Sequence, residues 1–156
     1  MPPKKIFHIE IQIDPQFTKQ IDEQNLRSAV NAALNHQDAP SGASITLVIA
    51  GDQEMRRLNR QFRQVDAPTD VLAFPTAGKA PFVKAPGQPI YLGDIIISLP
   101  RAAIQAAAVG HNLAAELALL AVHGTLHLLG HNHATPQEKE IMWAAQETIL
   151  ARSGLE

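Results

Sequence analysis

The stretch from Leu113 to His133 constrains this chain more than any other. Its first part, Leu113 to Leu129, is almost wholly apolar apart from Glu116, Thr125 and two histidines, His123 and His127. Such a run reads as a buried helix. On a helix, residues four apart leave the same face one turn from each other. Two imidazoles so placed can share one metal ion without bending the backbone. Gly130 suits the left-handed residue that ends a helix, and the turn beyond it can deliver a third imidazole, from His133 or His131. The spacing of His123, His127, Gly130 and His133 equals that of the extended zinc motif H-E-x-x-H-x-x-G-x-x-H, except that Gly124 stands where the motif has glutamate. Four of the seven histidines fall in this one segment. Burying them unpaired in the most apolar helix of the chain would be costly, which favours metal ligands over ordinary core or surface histidines. Three imidazoles with a fourth position left to water is a usual catalytic zinc arrangement. One Zn2+ per chain is therefore expected.

The rest of the chain must build a core around that helix. At 156 residues a single domain is expected, spanning 1–156. There is no cysteine, so neither disulfides nor thiolate metal sites are open to it. The net charge of −2 announces no global attraction for nucleic acid, so a polyanion must be met by a local patch. Alternating Phe7, Ile9, Ile11 and Ile13 read as a strand rather than a leader peptide. The apolar run carries Glu116, His123 and His127 and is short for a membrane span. No membrane association is expected, and a cytoplasmic location is the default.

In order, strands are expected over Ile6 to Ile13, Ser44 to Ala50, Asp70 to Phe74 and Ile90 to Ser98. Helices are expected over Gln20 to His36, Gln53 to about Arg63, from Pro100 to about Val109, Leu113 to Leu129, and from Thr135-Pro136 to about Arg152. Thr135 and Glu138 form a capping-box pattern at the start of the last helix. Thr76 to Pro89, rich in Pro, Gly and Ala, reads as a flap or hairpin excursion. This is an α+β pattern: one mixed sheet of about four strands packed with helices.

Two polar features bear on chemistry. Arg56, Arg60 and Arg63 recur at i, i+4 and i+7, a basic stripe that by itself reads as a solvated helix face. Glu116 lies seven residues before His123, roughly 10 Å along a helix axis, too far to act as the base that Gly124 cannot be. It reads as a helix residue with a local polar partner.

At this point the residues match a known family. Glu116 to Gly130 followed by His133 resembles the signature of the YbeY family, bacterial endoribonucleases and ribosomal RNA maturation factors. Leu58-Asn59, Phe62-Arg63, Pro68-Thr69-Asp70-Val71-Leu72 and Phe74-Pro75 resemble a second block of that family, and Leu92-Gly93-Asp94-Ile95-Ile96-Ile97-Ser98 a third, all in the family's order. The resemblance implies a single α+β domain related to the zinc peptidases, with a zincin-like metal helix and one zinc held by His123, His127 and His133. It implies metal-dependent cutting of single-stranded RNA, maturation of the 3′ end of small-subunit ribosomal RNA, ribosome quality control, and ribosomal RNA or the small subunit as partner. It also places the family's arginine on Arg63, as a phosphate-binding and catalytic residue beside His123. The chain departs from the family at Asn132, where aspartate is usual, at Ala73, where serine is usual, and at Ala67, often lysine. Asp70 and Asp94 match family positions, with structural hydrogen bonding at least as good an account as catalysis. Two other readings remain: a zinc peptidase or other hydrolase on the same scaffold, and a non-catalytic assembly factor whose zinc is closed by a fourth ligand, His131. The oligomeric state is not legible.

Overall fold

Where apolar residues alternate, the chain opens as a strand, β1 (His8–Ile13). The computed structural model describes residues 4–76 and 90–153. Asp14 follows β1 and accepts a hydrogen bond from the Gln16 amide, capping a short 3-10 helix over Pro15–Gln20 that buries Phe17. The expected helix from Gln20 starts later for this reason: Ile21 is extended, Asp22 caps, and α1 spans Glu23–His36. Leu26, Ala29, Val30, Ala33 and Leu34 form its buried stripe.

β2 (Ala43–Ala50) runs into α2 (Asp52–Arg63), which Gln64 ends in the left-handed conformation. β3 (Val71–Pro75) and β4 (Ile90–Ser98) follow. Of the excursion expected over Thr76 to Pro89, residues 77–89 lie outside the described residues. The Ser98 hydroxyl caps α3 (Leu99–Val109), and Gly110, left-handed at φ 77°, ends it. Asn112 caps α4 (Leu113–Leu128) by accepting from the Ala115 amide. Thr135 and Glu138 form the reciprocal capping box at the head of α5 (Pro136–Ser153), each side chain accepting from the other's amide at 3.1 Å.

The four strands form one mixed sheet in the order β1-β2-β4-β3, with β1, β2 and β4 parallel and β3 antiparallel at an edge. α1 and α4 cover one face, where Ile45, Leu47, Ile49, Ile95 and Ile97 meet Leu117, Ala121 and Leu126. α2 covers part of the other, where Met55 packs with Ala50, Leu72 and Ile96. This explains the unbroken Ile95-Ile96-Ile97 run: a strand covered on both faces has no solvent side to make polar. No single helix among the described residues is long and apolar enough to cross a membrane.

Two glycines set how close the elements can come. A Cβ on Gly93, at φ +139°, would lie 2.2 Å from the Phe74 carbonyl oxygen, so only glycine lets β3 pair here. A Cβ on Gly124 would lie 2.7 Å from Cγ2 of buried Ile95. The position that carries glutamate in the zinc-peptidase motif is thus the place where α4 rests directly on β4.

Candidate metal centre

α4 holds His123 and His127 on one face, and the turn after it returns His133 to them. Gly130, at φ 99°, allows that turn. The Gly130 amide donates to the His127 carbonyl and the His131 amide to the Leu126 carbonyl, both at 3.0 Å, so the helix end is closed by its own backbone. One ring nitrogen from each of His123, His127 and His133 lies within 4.8 Å of the others, and the three could hold a metal ion. Nε2 of His123 and Nε2 of His127 are 3.1 Å apart. A tetrahedral ion with bonds of about 2.0–2.1 Å would ask for nitrogens roughly 3.4 Å apart, close to what the helix provides.

The protonation of the rings suits such an ion. The buried side-chain oxygen of Gln146, on α5, accepts from Nδ1 of His123. This fixes the proton on Nδ1 and leaves the Nε2 lone pair pointing into the site. A backbone hydrogen bond to His131 steadies His127. Burial pushes His123 below the ordinary imidazole value, against the pull of Gln146. Burial, then the neighbouring His123 and His133, pushes His127 down to about 4. These two rings are therefore neutral near pH 7, the form that binds metal.

The His131 side chain is not among the three rings. Its Nε2 bonds the side-chain oxygen of Gln37 at 2.6 Å, facing the end of α1. Asn132 lines the cleft, and its side-chain oxygen accepts from the His133 amide at 3.0 Å. The departure from the family's aspartate thus falls on a residue that braces the loop backbone. Glu116 is 4% exposed and pairs with Nε2 of His111 at 2.7 Å, the local partner expected of it.

The histidines open on a cleft of about 680 Å³, lined on its far side by Arg63, Asp70 and residues of β3. Arg63 is the member of the basic stripe that lines it. It donates to the Ala73 carbonyl at 3.0 Å and lies 5.6 Å from the Phe74 ring centroid. Arg56 is instead clamped by Asp66 through two bonds of 2.7 and 3.0 Å, and Arg57 by Glu54. The stripe divides by partner, which spacing alone did not reveal. Asp70 lies near enough for its charge to favour the protonated form of His123, while Oδ1 accepts from the Val71 amide at 2.8 Å. Asp94 is a separate case: it accepts from the Tyr91 hydroxyl, whose oxygen in turn accepts from Thr46, away from the cleft.

β3 is an edge strand, and its outer side is engaged in part. The Asp70 carbonyl points inward to the Ser98 amide, so by the strand's alternation Val71, Ala73 and Pro75 present their backbone groups outward. The Asp70 side chain takes the Val71 N–H, Arg63 takes the Ala73 carbonyl, and Pro75 has no N–H to offer. An incoming peptide strand would have to displace these contacts.

Sequence reasoning missed the contribution of α5. Gln146 orients His123, and the ring of Trp143 stands 5.7 Å from that of His123 and 5.8 Å from that of His133. Lys139 adjoins Trp143. The available signal was their spacing, Lys139, Trp143 and Gln146 at i, i+4 and i+7 on one helix face.

Comparison with known proteins adds an independent finding. The family model described as Endoribonuclease YbeY matches residues 9–154. A protein of Chloroflexus aurantiacus named Endoribonuclease YbeY is 47% identical over 152 residues, covering 96% of this chain and 97% of its own length. Its namesake from Geobacillus kaustophilus is 45% identical over 122 residues, covering 76% and 78%. The solution structure of TM1509 from Thermotoga maritima superposes with a TM-score of 0.59 at 23% identity, covering 92% of this chain and 90% of that one, a likeness of fold.

Proposed function

The chain belongs to the YbeY endoribonuclease family, and on that premise we propose that it is a zinc-dependent endoribonuclease acting on single-stranded regions of ribosomal RNA, with His123, His127 and His133 as the ligands of one ion. Its substrate is small-subunit precursor RNA, cut in maturing the 3′ end and in ribosome quality control, in the cytoplasm. The observation that carries this reading is the sharing of one cleft by the three convergent imidazoles and Arg63.

When bound, the ion supplies a Lewis acid to a phosphoryl oxygen. The protein supplies the rest. Gln146 holds the His123 ring in one tautomer and orientation. Arg63 grips a phosphate at the opposite wall and stabilises the negative charge that grows on its oxygens in the transition state. The Ala73 carbonyl and the Phe74 ring hold the guanidinium in place before substrate arrives.

The peptidase reading is weaker on two counts. Its base is missing at Gly124, and the β3 edge that a peptide would pair with is partly engaged, its Val71 N–H by Asp70 and its Ala73 carbonyl by Arg63. A closed structural site is also disfavoured, because His131 is bonded to Gln37. The test is incubation of the pure protein with small-subunit precursor RNA and, in parallel, with casein, each with zinc and with a chelator. Zinc-dependent cutting of RNA with casein intact is expected. Cleavage of casein, or RNA cleavage indifferent to chelation, would overturn the proposal.

A further inference from the structure

α5 turns one stripe toward the histidines. Gln146 is buried and bound to His123. One turn nearer solvent is Trp143, the only tryptophan of the chain. Its indole is nearly perpendicular to both neighbouring imidazoles, at 88° to His123 and 87° to His133. One turn further out is Lys139, whose Nζ lies 5.4 Å from the Trp143 ring centroid. Indole is a large apolar surface, yet 39% of this residue remains exposed, at the edge of the site where chemistry is expected. The tautomer of His123 does not require it, since Gln146 already sets that ring.

An exposed aromatic ring with a cation beside it is the combination that binds unpaired nucleic acid: the ring stacks on a base of any sequence, and the cation meets the backbone. On the opposite wall of the cleft α2 supplies a second cation, Arg63. A single strand crossing the histidines can thus be held at both ends of the reacting phosphodiester. A base locked in a duplex has its faces covered by its neighbours and cannot reach the indole.

We propose that Trp143 is a nucleobase-stacking residue of the RNA site, with Lys139 contacting the adjacent phosphate, and that this platform is one source of a preference for single-stranded RNA. The proposal rests on the endoribonuclease reading above. Because Trp143 is the sole tryptophan, its fluorescence reports the contact directly, in metal-free protein as well as in the loaded enzyme.

The experiment titrates metal-free protein with a short single-stranded oligoribonucleotide and with the matching duplex, then measures zinc content and cleavage kinetics for Trp143→Ala, Trp143→Phe and Lys139→Ala. The single strand is expected to quench the indole and the duplex to leave it nearly unchanged. Trp143→Ala should keep one zinc and raise KM about tenfold or more, within the roughly 5- to 150-fold that stacking of one base provides. Trp143→Phe should recover most of the loss, and Lys139→Ala should weaken binding and flatten its salt dependence by about one counterion. Equal quenching by the duplex would overturn the proposal, as would unchanged KM in zinc-loaded Trp143→Ala. Loss of zinc in Trp143→Ala, with KM normal in Trp143→Phe at saturating zinc and no quenching of the wild type, would make the indole a wall of the metal site and overturn it too. A wild type that cleaves RNA while Trp143→Ala behaves identically removes this inference alone; a zinc-loaded wild type that neither binds nor cleaves RNA removes the endoribonuclease reading with it.

Discussion

α4 carries His123 and His127 out of a core in which Leu117, Ala121, Val122 and Leu126 are shut off from solvent, whereas α2 buries Met55 and Asn59 and carries Arg63 at an exposed end. The two helices serve one cleft under different tolerances. Ligand nitrogens must sit within about 0.2 Å of the distances an ion demands, and a helix resting on β4 at Gly124, with Ile95 beneath it, moves little. A phosphate grip, the role proposed for Arg63, needs reach more than rigidity. A long guanidinium pinned by one carbonyl and one ring gives enough order at an exposed helix end. Metal affinity and substrate handling should therefore respond to different substitutions.

The sharpest break is to remove a ligand. His123→Ala and His133→Ala should each lose stoichiometric zinc by elemental analysis at neutral pH, and cleavage should fall to background. His131→Ala, whose side chain bonds Gln37, should keep its zinc; loss of zinc there would mean that the site is closed by a fourth ligand.

Next comes Arg63→Ala, which should keep fold and zinc yet slow RNA cleavage by about 10²-fold or more. Arg63→Lys should recover only part, since an ammonium cannot make the two-pronged contact. Wild-type rates in a zinc-loaded Arg63→Ala protein would leave α2 without a role in the cleft.

Gln146→Ala tests whether rigidity extends to the second helix behind the ligands. It strands the Nδ1–H of a part-buried ring and should weaken zinc binding about 10- to 100-fold, measured by competition with a chromogenic chelator. Unchanged affinity would place all the rigidity in α4.

Gly124→Ala sharpens the comparison from the packing side. Overfilling at Ile95 costs about 1–3 kcal/mol, more than the up to ~1 kcal/mol that alanine adds to a helix. A lower denaturation midpoint is expected. An equal or higher one would show that α4 is not seated as tightly as the 2.7 Å approach implies.

The mildest effect is that of pH on the metal-free protein. The folded state holds His123 below the ordinary imidazole value and His127 at about 4, so between roughly pH 6.5 and 4 the unfolded chain binds more protons. The stability associated with these rings is fully present above pH 6.5 and is lost as pH falls toward 4. The Tm of metal-free protein should decline across that window, and less steeply in His127→Ala. A Tm flat over the window in wild type would contradict the burial of these rings.

Much of the site was legible because it is local. The four-residue spacing of His123 and His127, the left-handed Gly130 and the return of His133 all lie within eleven residues, so helix periodicity and one turn bring the three imidazoles together. The caps at Thr135 and Glu138 were legible for the same reason. The mixed sheet followed from strand patterning, although the 3-10 helix at Pro15–Gln20 was not foreseen, because Asp14 and Pro15 start a turn of their own before α1.

What lies beyond one element's period depended on packing. Arg56, Arg60 and Arg63 share a chemistry and a stripe. Yet Asp66 holds Arg56, while the Ala73 carbonyl turns Arg63 into the cleft. Gln146 and Trp143 are ordinary residues of a weakly patterned helix until α5 packs on α4 and sets them against His123. Gly124 looked like a missing base and proved to be a contact with β4. Sequence by itself determined which residues can bind a metal, because backbone periodicity sets which side chains share a helix face. Only the tertiary structure decided which residues orient those imidazoles and line their cleft, because those contacts join elements whose spacing along the chain says nothing of their distance in space.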